Sequence, residues 1–289
     1  IPSRFRQMRF EDNPNLTDDT SNPGLLDRLR TADVVSASWY LWGGLGRGKT
    51  AIAALAVLAF ACTRDGDDWK TPTTASAWRQ LTAYLWPEIH KWARRLRFDL
   101  LARQPFDGRR ELLKHHLRLW TGEAFAVASD DPTSIEGAHA DHLLYVFDEA
   151  KAIPNSTWDA AEGAFSGAGA DTAREALALA ISTPGEPFGR FYDIHRRAAG
   201  TDLWRVRHIT LAETVAAGRV SADWARTMEA QWGRSSALYQ NRVLGEFASS
   251  EEDTVIPLEW VEAANDRWRA LCPTDSDGRP DLDGWPQPD

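Results

Sequence analysis

The sequence predicts an α/β protein with a mainly parallel central sheet and helices on both faces. Three stretches carry this prediction. They are an apolar strand, glycine loop and buried helix over residues 34–63, an apolar strand ending in two acids over residues 143–150, and a third apolar strand over residues 176–181. Buried parallel strands are nearly continuous apolar runs, and open sheets bind ligands at the carboxyl ends of their strands. The polar residues after these strands are therefore expected to lie together.

The glycine loop, GGLGRGKT at residues 43–50, fits the pattern G-x-x-x-x-G-K-[ST] between an apolar strand and an apolar helix. Glycine lets backbone N–H groups wrap a polyphosphate, and the helix directs its positive end at the same phosphates. Lys49 is expected to reach the β- and γ-phosphates of ATP, and the Thr50 hydroxyl to bind Mg²⁺. A flexible loop with a chance lysine is the less favoured alternative. The predicted nucleotide-binding residues are Gly43, Gly44, Leu45, Gly46, Arg47, Gly48, Lys49 and Thr50.

The acid pair ends the run LLYVFDEA. Asp148 is predicted to hold Mg²⁺ through its water shell, and Glu149 to orient and polarise the attacking water. An ordinary acid pair at a strand end is the alternative, and the glycine loop upstream disfavours it. Ser182 and Thr183 follow the third strand and could sense the γ-phosphate, although an ordinary Ser-Thr-Pro-Gly turn explains them equally well.

Apolar spacing and turn residues predict the remaining elements. Pro72 indicates that the second strand, residues 71–75, is an edge strand or that the proline lies at its start. The other predictions are helices over residues 77–96 and 109–120, a short strand over 120–128, a polar loop over 129–139, and a turn and helix within 151–170 capped by Asn155 or Ser156.

The net charge of −9 argues against a chain that binds nucleic acid with its whole surface. Residues 88–118, however, contain nine Lys/Arg and four acids. This segment could follow a phosphate backbone, and a solvated face of two helices explains it equally well. Cys62 and Cys272 indicate no disulfide framework, and residues 51–62 are too short to span a bilayer. A soluble intracellular protein is expected.

Taken together, the motifs resemble the ATPase domain of phage large terminases over roughly residues 30–265. The ordered blocks are GGLGRGKT, TTASAWRQLTAYLWPEI, LLYVFDEAKAIPNSTWDAAEGAFSG, ISTPGEPFGRFYD and YQNRVLGEFASSEEDTVIPLEWVEAA. The resemblance implies a P-loop NTPase of the RecA-like ASCE type with a small, mainly helical C-terminal lid or linker subdomain. The expected divisions are a core over residues 1–204, the subdomain over 205–270, and a flexible acidic linker over 271–289 leading toward a nuclease domain outside this chain.

The resemblance also implies Mg²⁺-dependent ATP hydrolysis that powers translocation of double-stranded viral DNA into a procapsid. Lys49, Arg47 and Glu149 are the catalytic candidates, and Ser182 and Thr183 couple hydrolysis to motion. Arg47 directly precedes Gly48, which departs from many terminases and leaves its γ-phosphate contact open. The arginine supplied by a neighbouring subunit is also open, with Arg79, Arg190 and Arg196 as its candidates.

The implied partners are double-stranded DNA, the portal and procapsid, and the small terminase subunit. When assembled, the chain would form a homo-oligomeric ring in the cytoplasm of a bacterial host. In isolation it could be a monomer, and no association with a membrane is expected. Two other functions stay open. One is a helicase-like DNA-dependent ATPase, and the other is a slow nucleotide-binding module that docks on the portal.

Overall fold

The computed structural model describes residues 38–46, 48–101, 103–129, 132–165, 174–202, 204–248, 261 and 264–268. The chain divides into two compact units, Ile1–Ala248 and Ser249–Asp289, and the sheet and candidate site belong to the first. The predictions for Arg47 and for the linker over residues 271–289 lie outside the described residues. The domain boundaries at residues 204 and 270 stay predictions.

The described residues form an eight-stranded sheet in the order β3-β4-β5-β2-β6-β7-β1-β8. The six strands from β5 to β8 in this order pair in parallel, and β3 and β4 add an antiparallel edge. The strands are β1 (Ser38–Trp42), β2 (Trp69–Ala75), β3 (Leu112–Leu113), β4 (His116–Arg118), β5 (Gly122–Ala126), β6 (His142–Asp148), β7 (Glu175–Ser182) and β8 (Trp204–His208).

The helices connect these strands and continue after the last one. They are α1 (Lys49–Arg64), α2 (Trp78–Gln80), α3 (Trp86–Ala93), α4 (Pro132–Glu136), α5 (Asn155–Ala164), α6 (Arg190–His195), α7 (Leu211–Ala216), α8 (Ala222–Trp232) and α9 (Ala237–Tyr239). A π-helical turn, Leu81–Leu85, joins α2 to α3, and a second one, Gln240–Leu244, follows α9. The helix predicted over residues 77–96 is thus confirmed as one helical run.

Alternate side chains of the central strands enter two separate hydrophobic cores. Leu41 and Val146 pack in the core that contains α1 and α3. Tyr40 and Phe147, their sequence neighbours, pack in the core that contains Trp158 of α5 and residues of α6. Helices therefore cover both faces of the sheet, as predicted. Residues 211–248, here called the helical segment, contain a smaller cluster around Tyr239 and Val243.

The helix predicted over residues 109–120 is wrong, because this stretch forms the β3–β4 hairpin. Leu112 pairs with Leu117 in antiparallel register, and β4 continues the sheet by pairing with β5. The spacing of the leucines fits a helical face as well as alternation along a strand, so periodicity alone did not distinguish them. Pairing with the exposed edge of β5 decided the outcome.

Pro72 also departs from its prediction, because β2 lies between β5 and β6 rather than at an edge. The ladder with β6 pairs Lys70 with Leu143 and Thr73 with Val146, and it skips the two residues between them. Proline has no N–H to donate there. The central strand therefore tolerates Pro72 by interrupting one ladder.

Two smaller predictions are also wrong. Neither Asn155 nor Ser156 caps α5, since Pro154 holds the N-cap position without a side-chain hydrogen bond. The loop predicted over residues 129–139 contains α4, a single helical turn.

Candidate active site

The three predicted polar stretches meet at one edge of the sheet. β7 lies between β1 and β6, with Trp42 opposite Ser182 and Ile181 opposite Asp148. The residues that follow in each strand therefore leave the sheet side by side. In this sheet order one strand, β7, separates the strand before the glycine loop from the strand before the acid pair, and both motifs lie at the same edge of the sheet.

The glycine loop has the backbone that its sequence predicts. Gly46 and Gly48 have φ angles of 71° and 74°, in the left-handed region that favours glycine. α1 begins at Lys49 without a side-chain cap, so its first N–H groups face the loop. The Lys49 side chain is buried and its Nζ donates to the carbonyl oxygens of Gly43 and Gly44, both at 2.9 Å. The Lys49 ammonium group thus lies against the loop backbone. Thr50, the next residue in α1, is half-buried.

Asp148 is a buried carboxyl with only 4 % of its surface exposed, and its Oδ1 accepts the Glu149 N–H at 3.1 Å. Burial, followed by the neighbouring charge of Glu149, raises the pKa of Asp148 to about 7. The Glu149 N–H and the Lys49 charge act in the opposite direction and do not compensate. Two adjacent carboxyl groups that are partly removed from water favour a cation beside them.

Glu149 has a positive φ of 47°, which is uncommon for a residue with a side chain. Its Oε2 accepts a hydrogen bond from Ser182 Oγ at 3.1 Å and another from Thr183 Oγ1 at 3.5 Å. The glutamate predicted to act on water is therefore connected directly to the polar end of β7. Strained backbone of this kind is often found at functional sites.

Lys151 is a site residue that the sequence reasoning missed. It lies in a 3₁₀ turn, Ala150–Ala152, and its Nζ donates to Thr183 Oγ1 at 3.1 Å and to the Pro184 carbonyl at 3.2 Å. Burial lowers the pKa of Lys151, the Glu149 charge opposes this, and the Arg242 charge adds to it. No sequence motif indicates Lys151, because its hydrogen bonds to Thr183 and Pro184 depend on β6 and β7 being neighbours in the sheet.

The helical segment packs directly on the glycine loop, which the sequence did not predict. The Leu45 N–H donates to the Arg242 carbonyl at 2.8 Å. Gly245 lies so close that a Cβ added there would be 2.5 Å from the Gly44 nitrogen. A Cβ added at Gly46 would be 3.9 Å from a methyl of Val220. The glycine at position 245 is the sequence feature that could have indicated this close approach of the helical segment to the loop backbone.

The three arginines named for action on a neighbouring subunit differ in their contacts. Arg190 forms ion pairs with Asp159 and Glu162, both at 2.9 Å, and Arg196 lies 3.5 Å from Asp193. Arg79 is exposed on α2, shortly after the carboxyl end of β2. The geometry disfavours Arg190, whose guanidinium is already paired with two carboxylates, and leaves the choice between Arg79 and Arg196 open.

The donor groups fit a magnesium ion better than a metal bound wholly by protein. Within the described residues, no group of three or more His, Cys, Asp or Glu is arranged to hold a metal. Mg²⁺ commonly binds one or two protein oxygens and takes its other ligands from water and substrate phosphates. Asp148 and Thr50 supply oxygens of that kind.

No helix in the described part of the chain has the length and apolar character needed to cross a membrane.

The sheet order and its helices give this chain the fold of a P-loop NTPase of the RecA-like type. No family model matches the chain. A curated relative, the probable terminase large subunit of Enterobacteria phage P7, is 30% identical over 153 residues, which are 52% of this chain and 30% of the relative. The chain therefore spans about a third of the length of this relative.

Solved structures of large terminases share the fold. The large terminase of a thermophilic bacteriophage, in complex with ADP, has a TM-score of 0.53 and 16% identity, and the match covers 75% of this chain and 50% of that terminase. The ATPase domain of the Thermus phage P74-26 large terminase has a TM-score of 0.53 and 20% identity, and the match covers 73% of this chain and 88% of that domain. The resemblance to the large terminase ATPase domain is confirmed, and this chain has that fold.

Proposed function

We propose that this chain is the ATPase part of a phage DNA-packaging motor, which hydrolyses ATP with Mg²⁺ to move double-stranded viral DNA into a procapsid. The observation that carries the proposal is the meeting of the glycine loop, the acid pair and the end of β7 at one sheet edge. The similarity to the phage P7 terminase subunit and to the ADP complex of the thermophilic bacteriophage terminase supports it.

Binding would begin at the glycine loop, whose backbone N–H groups and helix end attract the phosphates. Lys49 would exchange the Gly43 and Gly44 carbonyls for phosphate oxygens, which are stronger acceptors because they are charged. Asp148 and Thr50 would hold Mg²⁺, which supplies charge neutralisation for the phosphates when bound. Its positive charge would also favour the ionised form of Asp148, whose pKa burial raises.

Hydrolysis would depend on Glu149, which follows Asp148 at the same sheet edge and is only partly buried. In phosphoryl transfer the protein contributes mainly positioning and charge, so a carboxylate that orients the water suffices. Ser182 and Thr183 now hold this carboxylate. We infer that Glu149 leaves these hydroxyls to engage water when ATP binds, which would report the nucleotide state to β7 and through Lys151 to the Pro184 backbone.

The wider role follows from the resemblance. The chain would act with the portal, the procapsid and the small terminase subunit in the host cytoplasm, as one subunit of a ring. Residues 1–204 would form the ATPase core, residues 205–270 the lid or linker subdomain, and residues 271–289 a flexible linker. Arg47 stays a candidate for the γ-phosphate.

The test is steady-state ATP hydrolysis by the full chain and by Glu149→Gln, with binding of a fluorescent ATP analogue measured in parallel. Gln keeps the shape of the side chain and removes the charge that polarises water, so we expect binding to persist and turnover to fall by about 100-fold or more. Lys49→Ala should instead weaken binding and turnover together. Glu186→Gln, an exposed change near the end of β7, is the matched control. Wild-type turnover in Glu149→Gln would remove Glu149 from the mechanism.

The alternatives predict other results. A portal-docking module would bind nucleotide with little turnover under all conditions. A helicase-like ATPase would be stimulated by single-stranded DNA at least as strongly as by duplex. Stimulation by duplex rather than single-stranded DNA would favour the packaging motor over the helicase.

A further inference from the structure

We propose that Arg219 is a phosphate-binding residue of this site, supplied by the helical segment of the same chain. The inference rests on the proposed nucleotide site and adds a cation that no motif in the sequence indicates. A Cβ added at Gly48 would lie 3.9 Å from Nη1 of Arg219, so the guanidinium is next to the residue that precedes Lys49.

The turn that carries Arg219 is held in place by its backbone. It connects α7 to α8, and the N–H groups of Arg219 and Val220 both donate to the Thr214 carbonyl, at 2.9 and 3.2 Å. The next side chain, Val220, lies near Gly46, since a Cβ added there would be 3.9 Å from its Cγ2 methyl. Two successive residues of one turn thus lie beside the two left-handed glycines of the loop, and the hydrogen bonds to Thr214 fix the backbone from which the Arg219 side chain extends.

The charge of Arg219 is uncompensated within the part of the chain that the structure describes. Other arginines of this region have carboxylate partners: Arg207 pairs with Glu213, Arg226 with Asp223, and Arg234 with Glu229. Arg219 has none there and is exposed. A guanidinium binds phosphate through paired charge-assisted hydrogen bonds, and the missing side chain at Gly48 lets it approach the backbone.

The same contact would tie the helical segment to the bound phosphates. The segment already touches the loop through the Arg242 carbonyl and Gly245. A phosphate held by both the loop N–H groups and Arg219 would bridge the two parts of the chain. Nucleotide should therefore protect the helical segment from proteolysis, and this protection should depend on Arg219.

The experiment compares Arg219→Ala, Arg219→Lys and Arg226→Ala in the full chain, using fluorescent ATP-γ-S and ADP as probes. Arg226 lies in the same segment, is 72% exposed and already pairs with Asp223, so it is the matched control. We expect Arg219→Ala to weaken ATP-γ-S binding about 10-fold and ADP binding less, since ATP-γ-S carries more phosphate charge. Arg219→Lys should recover part of the loss, and Arg226→Ala should bind as the wild type does.

Limited proteolysis separates a phosphate contact from a structural role. The predicted result is that Arg219→Ala and the wild type are digested alike without nucleotide and differ only with it. Affinities of Arg219→Ala equal to the wild type, or an equal loss in Arg226→Ala, would overturn the inference while leaving the ATPase proposal intact. Failure of the wild type to bind either probe would instead overturn the proposed function and the inference with it.

Discussion

At the scale of single residues, the site depends on polar groups whose neighbours are set by the sheet. Glu149 illustrates this, because it has a left-handed backbone and its carboxylate accepts from the hydroxyls of Ser182 and Thr183 at the end of the neighbouring strand, β7. A strained dihedral of this kind costs on the order of 1–3 kcal/mol and persists where the surroundings hold it. The acid pair was predictable from sequence, but the partner of its second carboxylate was not.

Glu213 gives a residue-scale prediction about pH. Burial alone would raise its pKa, but the Thr210 N–H and hydroxyl and the Arg207 guanidinium lower the pKa to about 2. A carboxyl whose pKa is lower in the folded state stabilises the fold above its unfolded pKa, and this contribution is lost as the pH falls through the folded value. Glu213→Gln keeps an acceptor for Thr210 and loses the charge facing Arg207.

The substitution should therefore lower the free energy of unfolding by about 1 kcal/mol near pH 7, with a difference that shrinks below about pH 4.5 and approaches zero near pH 2. Urea unfolding near pH 7 and near pH 3 measures it, with Glu186→Gln as the exposed control. A difference of the same size at both pH values would show that the ion pair with Arg207 contributes nothing.

At the scale of elements, the contact between the helical segment and the glycine loop is the feature with most consequence. Gly245 ends the π-helical turn after α9 with a φ of 79°, and a Cβ added to it would meet the backbone of Gly43 and Gly44. The hydrogen bond from the Leu45 N–H to Arg242 lies beside it. The shape of the loop is therefore supported from outside its own motif.

This contact predicts different effects for two glycine substitutions. Gly233 ends α8 with a φ of 78° and has no neighbour within 4 Å of an added Cβ, so Gly233→Ala isolates the backbone cost. Both Gly233→Ala and Gly245→Ala should lower the free energy of unfolding, by about 1–2 kcal/mol for the left-handed dihedrals of Gly245 and by more for Gly233, whose φ of 78° and ψ of 141° lie in a region that almost only glycine adopts. Only Gly245→Ala should also weaken nucleotide binding, because its Cβ displaces the loop. Equal nucleotide affinities in the two variants would contradict a supporting role for Gly245.

Elements also show where prediction from sequence fails. The stretch over residues 109–120 forms a hairpin because its second strand pairs with the edge of β5. Pro72 lies in a central strand because the β2–β6 ladder omits two residues there. Pairing with the next strand, β5, in the first case, and with strands far along the chain in the second, overrode a local preference. The long apolar strands and α1 were predicted correctly, since their patterns are strong and fit their burial.

At the scale of the whole molecule, the source of the arginine proposed to act on the γ-phosphate would decide whether one chain can hydrolyse ATP by itself. If a neighbouring subunit supplies it, the rate of ATP hydrolysis should rise faster than linearly with protein concentration. Steady-state assays of the wild type and Arg79→Ala measure this, with Arg190→Ala as a comparison, because Arg190 is already held by Asp159 and Glu162. A rate strictly proportional to concentration would mean that each chain is complete, with Arg47 or Arg219 as the remaining sources of charge.

The sequence by itself determined the glycine loop, the acid pair and the α/β class, because each depends on neighbours in the chain. Left-handed glycines, a helix end and an apolar strand are local requirements that a short motif can express. Only the tertiary structure decided that Lys151 holds the end of β7, that Gly245 supports the loop and that Arg219 lies beside Gly48. These contacts join residues far apart in the sequence, and which ones meet depends on the strand order and on how the helical segment packs back onto the sheet.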